Sequence, residues 1–453
     1  PGRSHERLQQ FHRGVPVFGA DLTRQTRNGI TVSVFGRLRP DIEIEASPAL
    51  DGDDARAIIE RHTGGRVSPG QPPTLVVLPR DDGGYALAWQ AEARMETDVR
   101  DCFVGALSGQ VLLDYSNLKR QTVPAGRGTT AAGNALRASV VTFDVHGDAA
   151  RATGAVGGLL TLGAADLAAD GISPGNDAAV RSARSGVEAT RNYYLQRMGR
   201  RGLDGHDAPM AVLVHPVRRE DWSELGSRYR LYFAGAFWDG RMAVLGEGLP
   251  PGATLDGRAW TNAAAAVDLV AHELTHGVID HSSRLVYRNE SGALNEAFAD
   301  IMATAVEFFV QPAGDGPSQA DYLAGEDAVS GGGLRSSENP GAFGLPNHIS
   351  LRDTSSADNG GVHTNSAIVS HGYYLAIEGG TNLTSGARVA GVGRANREQI
   401  EKSFYRAFVY LLPSSADFST ARAATIQSAR DLYGVGSEPE RAITEAWRAV
   451  GVK

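Results

Sequence analysis

The stretch Ala271-His272-Glu273-Leu274-Thr275-His276 decides how this chain is read. On an α-helix, residues four apart stack on one face, so His272 and His276 present their imidazoles together. Two imidazoles on one face are half of a tetrahedral zinc site. Glu273 sits one residue round the helix, placed to reach a water beside the metal rather than the metal itself. Taken alone, the pattern also fits a solvated helix face with two histidines. A second stretch, Gly292-Ala293-Leu294-Asn295-Glu296-Ala297-Phe298-Ala299-Asp300, narrows the choice. Leu294, Phe298, Ile301, Met302, Ala305, Val306 and Phe309 recur at helical spacing and predict a helix over 293–310, with Glu296 in its first turn. A carboxylate there completes a His-His-Glu set and leaves the fourth position for water. Asp300, one turn further on, is placed to accept the free N–H of a ligand histidine.

Two more stretches join these: Tyr287-Arg288-Asn289-Glu290-Ser291 ahead of Gly292, and Asp358-Asn359-Gly360-Gly361-Val362-His363-Thr364-Asn365-Ser366. With the ending Ala449-Val450-Gly451-Val452-Lys453, the chain resembles the thermolysin family of zinc metallopeptidases over essentially its whole length. The resemblance implies a secreted zinc endopeptidase made as a zymogen and acting on peptide and protein substrates. Zinc would be held by His272, His276 and Glu296. Glu273 would take a proton from water and pass it to the leaving amine. Tyr287 and His363 would donate to the oxyanion, with Asp358 orienting the imidazole. Asn295 and Asp300 would partner the ligand histidines, and Arg335 would bind substrate carbonyls.

Specificity residues are implied in the same way. The run 230–238, which includes Ala236, looks like the edge strand that holds substrate main chain by strand addition. Gly235 departs from the family, which has an asparagine there that contacts substrate. Leu269, Leu334 and Trp260, with Ala324 and Ala328, match the pocket for the residue after the scissile bond, so that residue is expected to be hydrophobic. Asp268, Glu307, Asp321 and Glu326 match a calcium site, and hard carboxylates suit Ca²⁺. Leu323 stands where the family's double site has another acid, so one structural calcium is expected, not two.

Composition sets bounds on the rest. With 453 residues the chain exceeds a single core, so several domains are expected. A net charge of −8 without a basic block disfavours nucleic acid. One cysteine, Cys102, rules out an intrachain disulfide. No apolar run reaches the ~18 residues of a membrane span. The start, Pro1-Gly2-Arg3 without Met, fits a removed signal segment or a trimmed chain equally. The location expected from the resemblance is extracellular, from a bacterium.

Ahead of the catalytic part, 15–23 and 29–35 alternate as strands about an Asn28-Gly29 turn. Phe11 to Ala20 resembles the fungalysin/thermolysin propeptide motif, which places that part at 1–45. A helix is predicted over 51–62, then strands over 74–78, 85–93, 98–106 and 110–115. One helix on a meander is an α+β layer, and 46–120 resembles a PepSY propeptide part. By resemblance the chain's own propeptide is both folding chaperone and inhibitor. The polar segment 121–137 reads as a linker and processing region. After it come a β-rich lobe over 138–263 (strands at 138–145, 159–162 and 210–215, a helix over 177–198) and an α-helical lobe over 264–453. In the latter the metal helix runs 264–278 and further helices 364–377, 396–412, 420–432 and 438–450. The fold class is α+β throughout. A structural zinc in a binding module would need four protein ligands, whereas this set offers three and Glu273, which favours an enzyme.

Overall fold

The alternation around Asn28-Gly29 is realised as a hairpin. The structure, a computed structural model, describes residues 2–120, 140–168 and 177–453. The linker expected at 121–137 lies outside the described residues. Strand β1 (Arg3–His12) pairs antiparallel with β2 (Val15–Arg27), and β3 (Ile30–Gly36) lies on the other side of β2. Asn28 and Gly29 turn the chain with φ of 51° and 78°, the geometry of a two-residue hairpin loop. β1 was not foreseen, because Arg-Ser-His-Glu-Arg carries no apolar alternation. Helix α1 (Gly52–Thr63) is capped by Asp51, whose side chain accepts from the amides of Asp53 and Asp54. Then follow β4 (Arg66–Val67), β5 (Thr74–Pro79), β6 (Tyr85–Met95), β7 (Asp98–Gly105) and β8 (Val111–Ser116). These strands form one eight-stranded sheet in the order β1-β2-β5-β6-β7-β8, with β3 on β2 and β4 on β6. Ile59 of α1 packs with Val67, Ala91, Ala93, Cys102 and Val104 of the sheet.

The next sheet joins both halves of the chain. Its order is β10 (Val140–Asp144), β11 (Met210–Val214), β13 (Ala243–Leu245), β12 (Ala236–Trp238) and β9 (Lys119–Arg120). Between these strands lie α2 (Ala149–Val156), α3 (Ala178–Met198), α4 (Trp222–Leu225) and α5 (Arg230–Phe233). Two expectations fail here. The segment 159–162 forms no strand: Gly157 and Gly158 end α2, and Leu160 folds back onto Gly154. Nor is 230–238 one edge strand. Arg230–Phe233 is a helical turn, and Gly235 at φ 114°, a conformation costly for any side chain, separates it from β12. In the full chain β9 covers the outer side of β12, so that edge is occupied.

The helical lobe follows its apolar periodicity closely. It contains α6 (Val267–Asp280), α7 (Asn289–Val310), α8 (Asp358–Glu378), α9 (Arg397–Arg406), α10 (Phe418–Tyr433) and α11 (Glu438–Ala449). α7 starts earlier than predicted, so Glu296 lies in its second turn, not its first. The polar residues 289–291 look like loop, but Glu290 fixes that turn by accepting from Arg352 at 2.9 Å and from the Phe418 amide at 2.9 Å. The helix predicted over 396–412 ends in a π turn at 407–411. The Leu411 and Leu412 carbonyls there accept from Thr23 and Arg7 of the N-terminal hairpin. Trp238, Phe298, Phe404 and Trp447 are buried in one core that runs through both catalytic lobes.

Candidate active site

α6 is buried from Asp268 to Ile279, which takes the two histidines out of water. Their Nε2 atoms lie 3.0 Å apart. Glu296, from the second turn of α7, brings Oε2 to 3.4 Å from His272 Nε2 and Oε1 to 3.4 Å from His276 Nε2. The other ring nitrogens are committed. His272 Nδ1 donates to Asp300 at 2.9 Å and His276 Nδ1 to Asn295 Oδ1 at 2.8 Å, while Asn295 Nδ2 donates to the Leu285 carbonyl at 3.2 Å. Both Nε2 lone pairs therefore face the same point together with a carboxylate. Such a set repels itself unless a proton or a cation occupies that point. The donor types and the inward aim fit a zinc ion.

Electrostatics carry the same message. Burial disfavours charge on His272, but Asp300 and Glu296 outweigh it and raise the imidazole to about 9. Burial holds His276 down at about 3. One proton shared by the pair stands where a cation would sit. Glu273 is buried with neither carboxylate oxygen hydrogen-bonded, and burial pushes it up to about 8. A dication alongside would draw it back down.

The remaining predicted residues surround this point. The Tyr287 hydroxyl donates to Glu296 and lies 3.2 Å from His363 Nε2. Asp358 accepts from His363 Nδ1 at 2.7 Å and from its amide at 2.9 Å. Burial opposes charge on His363, but Glu296 and Asp358 prevail and raise it to about 9. α8 is regular only after a left-handed turn through Asn359, Gly360 and Gly361, which turns Asp358 back toward His363. Arg335 grips Asp300 with Nε at 2.7 Å and Nη2 at 2.5 Å. Leu269 and Leu334 flank Gly325, where an added Cβ would meet them at 3.1 and 3.4 Å. Trp260 is buried beside them, bridged to Val329. Ala236 sits in β12 opposite Leu245.

Of the four acids expected at calcium, Glu307, Asp321 and Glu326 bring oxygens within 4.8 Å of one another. Asp268 lies against this set, its oxygens accepting from the Leu269 and Gly325 amides and its charge raising Glu307 and Glu326. Residues given no role from the sequence also meet beside the site: Lys119 and Trp238 on Asp280, and Asn359 on the Tyr287 carbonyl. Asp280 lies four residues beyond His276, so helical spacing could have found it. Lys119 could not be found that way, because strand pairing across 118 residues leaves no local trace.

The fungalysin/thermolysin propeptide motif matches residues 2–38. The thermolysin metallopeptidase catalytic domain matches 130–280, and its alpha-helical domain matches 283–452. The thermostable neutral protease NprT of Geobacillus stearothermophilus is 33% identical across 100% of this chain and 84% of its own length. Thermolysin of Alicyclobacillus acidocaldarius matches at the same identity and coverage, and bacillolysin of Bacillus caldolyticus is 32% identical. Among solved structures, the precursor of protealysin from Serratia proteamaculans superposes with a TM-score of 0.53 at 25% identity, over 72% of this chain and 90% of that one. Among the described residues no helix is long and apolar enough to cross a membrane. A buried His-His-Glu set, a propeptide motif ahead of it and relatives matched along the whole of this chain agree: the chain belongs to the thermolysin family, zinc-dependent metalloendopeptidases, and is made as a zymogen with its own propeptide.

Proposed function

We propose that His272, His276 and Glu296 hold one zinc ion and that Glu273 is the proton carrier of peptide-bond hydrolysis. The observation behind this reading is three ligand atoms converging beside a buried carboxylate that has no hydrogen-bond partner. Zinc, when bound, supplies Lewis acidity to the attacking water and the scissile carbonyl. Glu273 takes a proton from that water and delivers it to the leaving amine. The imidazolium of His363 donates to the carbonyl oxygen as it gains charge, and Tyr287 turns its hydroxyl from Glu296 to the same atom. Asp358 keeps His363 charged and aimed. Asp300 and Asn295 hold the ligand rings, and Arg335, braced on Asp300, meets a substrate carbonyl. Ala236 offers its backbone to an extended peptide. Leu269, Leu334 and Trp260 line the place for a hydrophobic residue after the scissile bond.

Asp268, Glu307, Asp321 and Glu326 are assigned to one calcium ion, the last three with oxygens within 4.8 Å of one another. Glu326 has both oxygens, and Glu307 one, buried without a donor. Burial first, and then repulsion from Asp268, raises the pKa of Glu307 and Glu326. Residues 2–120 act together as the pro-region, and the enzyme works outside the cell.

Metal content and hydrolysis of an end-blocked peptide, followed while the full chain processes itself, test the reading. The expected result is one zinc per chain, with activity appearing as a fragment of the pro-region is lost. A zinc-free active protein, or zinc without activity after the fragment has gone, contradicts it.

A further inference from the structure

Asp280 closes the metal helix, and its carboxylate receives a lysine from the other end of the chain. Lys119 Nζ donates to Asp280 Oδ1 at 3.1 Å and Oδ2 at 3.2 Å, with the lysine side chain 5% exposed. Trp238 Nε1 donates to Asp280 Oδ2 at 2.8 Å and fixes that carboxylate. The Tyr287 ring lies 5.9 Å from the ammonium, within cation–π reach. The same tyrosine touches Glu296 and His363 through its hydroxyl. A carboxylate, an indole and a phenol ring thus make a lysine pocket that adjoins the metal ligands.

The strand that delivers the lysine lies as a peptide substrate would. Lys119 stands opposite Trp238 and Arg120 opposite Phe237, antiparallel, on the outer side of β12. Upstream, Asn359 donates to the Ser116 carbonyl at 2.7 Å, so the segment bridges the two lobes. Its direction can be read from α6. At the Trp238 end, β12 meets the C-terminal turn of that helix: an added Cβ at Gly277 would lie 2.8 Å from the Trp238 ring. At the other end, Gly235 is tied through Gly246 to Ala263, just before the helix begins. A chain running from Trp238 toward Ala236 therefore passes Asp280, His276, His272 and then Leu269. In the β9 register a peptide residue facing Ala236 stands two residues after one facing Trp238. The metal ligands lie between the lysine pocket and the apolar one.

We infer that Asp280, Trp238 and Tyr287 form a subsite for a basic side chain, about two to three residues before the scissile bond of the substrate, which Lys119 fills in the zymogen. The inference rests on the active-site reading above and adds a charge preference on the amino side of the cleaved bond. Lys119 is then both the anchor of the pro-region strand and a template for the preferred substrate. A neutral side chain in this place leaves the Asp280 carboxylate without a cation, and an acidic one sets two carboxylates against each other.

The test uses the full chain after processing and three end-blocked peptide sets that share a hydrophobic residue after the bond. Each set carries Lys, Gln or Glu, placed in turn two and three residues before the bond. At one of these places kcat/KM should follow Lys, then Gln, then Glu, with Lys over Gln by about tenfold, the scale of one charge-assisted hydrogen bond. In Asp280→Asn the ratio of Lys to Gln should fall to about one, and in Asp280→Lys the Glu peptide should overtake the Lys peptide. Equal rates for Lys and Gln in the wild type at both places would overturn the inference and leave the endopeptidase reading intact. Failure to hydrolyse any peptide in the three sets would overturn the active-site reading, and this inference with it.

Discussion

Two clusters in the helical lobe, one buried and one half-buried, each bring three ligand atoms together, and they are built differently. At His272, His276 and Glu296 the ligands have other partners: Asp300, Asn295 and Tyr287 hold them in place. At Glu307, Asp321 and Glu326 no cationic side chain is paired with the set among the described residues, and buried oxygens of Glu307 and Glu326 have no donor. At the first site those partners orient the ligands, and the ion adds chemistry. The second is held open against repulsion, and there the ion supplies stability. A third cluster shows another solution. His215 donates to Glu247 at 2.7 Å and to Asp177 at 3.0 Å, so an imidazolium takes the place a metal would have.

The comparison can be broken most sharply at Glu273. Glu273→Gln should lower kcat by roughly 10³-fold, within the usual range for a general base, while zinc content measured by atomic absorption stays at the wild-type level. Loss of the metal would show that Glu273 is part of the cage. Next in size is the acidic cluster. Chelating calcium with EGTA should lower the melting temperature by about 5 °C or more, since a bound ion stabilises by mass action. Glu326→Gln should reverse sign with conditions: a lower melting temperature than wild type in calcium, and a higher one in EGTA, where a repelling charge has been removed. The same sign in both would refute a cation site. A smaller change is expected from Asn295→Ala. Zinc affinity, read by competition with a chelator, should weaken by about 10–100-fold with the fold retained, as for other partners of metal ligands. Unchanged affinity would mean that α6 alone sets the ring of His276.

The smallest effect belongs to the imidazolium clamp. The hydrogen bond to Glu247 is the main cause that raises His215 to about 9, against burial. The folded pKa exceeds the unfolded value near 6.5, so the stabilisation is complete below about pH 6.5 and is lost as pH rises through about 9. The melting temperature should fall over that window in the wild type. In His215→Gln the part of the slope due to this residue should vanish, and an unaltered slope would place the titration elsewhere.

Much of this could be read from the sequence because its causes are local. The spacing of His272, Glu273 and His276 needs only a helix, and the apolar residues of 293–310 supply the next one. The Asn28-Gly29 turn and the Asp51 cap are equally local. What could not be read depends on distant partners. β1 exists because β2 pairs with it. The run 230–238 is apolar enough for a strand, yet Gly235 breaks it and β9 covers its outer side. Glu290 starts α7 early because residues 352 and 418 reach it. Asp268 reaches Glu307 and Glu326 from a different helix, a meeting that spacing along the chain does not show. The Asp280 pocket needed two facts at once: a helical register and a strand register.

The pairing of β9 with β12 also bears on how the protein behaves in solution. A sheet that ends at Phe237–Trp238 without a covering strand would expose a row of backbone donors and acceptors, a template for any extended chain nearby. Once the pro-region has gone, that template faces substrates, unfolded neighbours and fraying segments of sister molecules alike. The strand at 119–120 therefore guards colloidal behaviour as well as activity. Processed enzyme kept at high concentration without a bound peptide should be lost by association and mutual digestion, whereas the intact chain should store well.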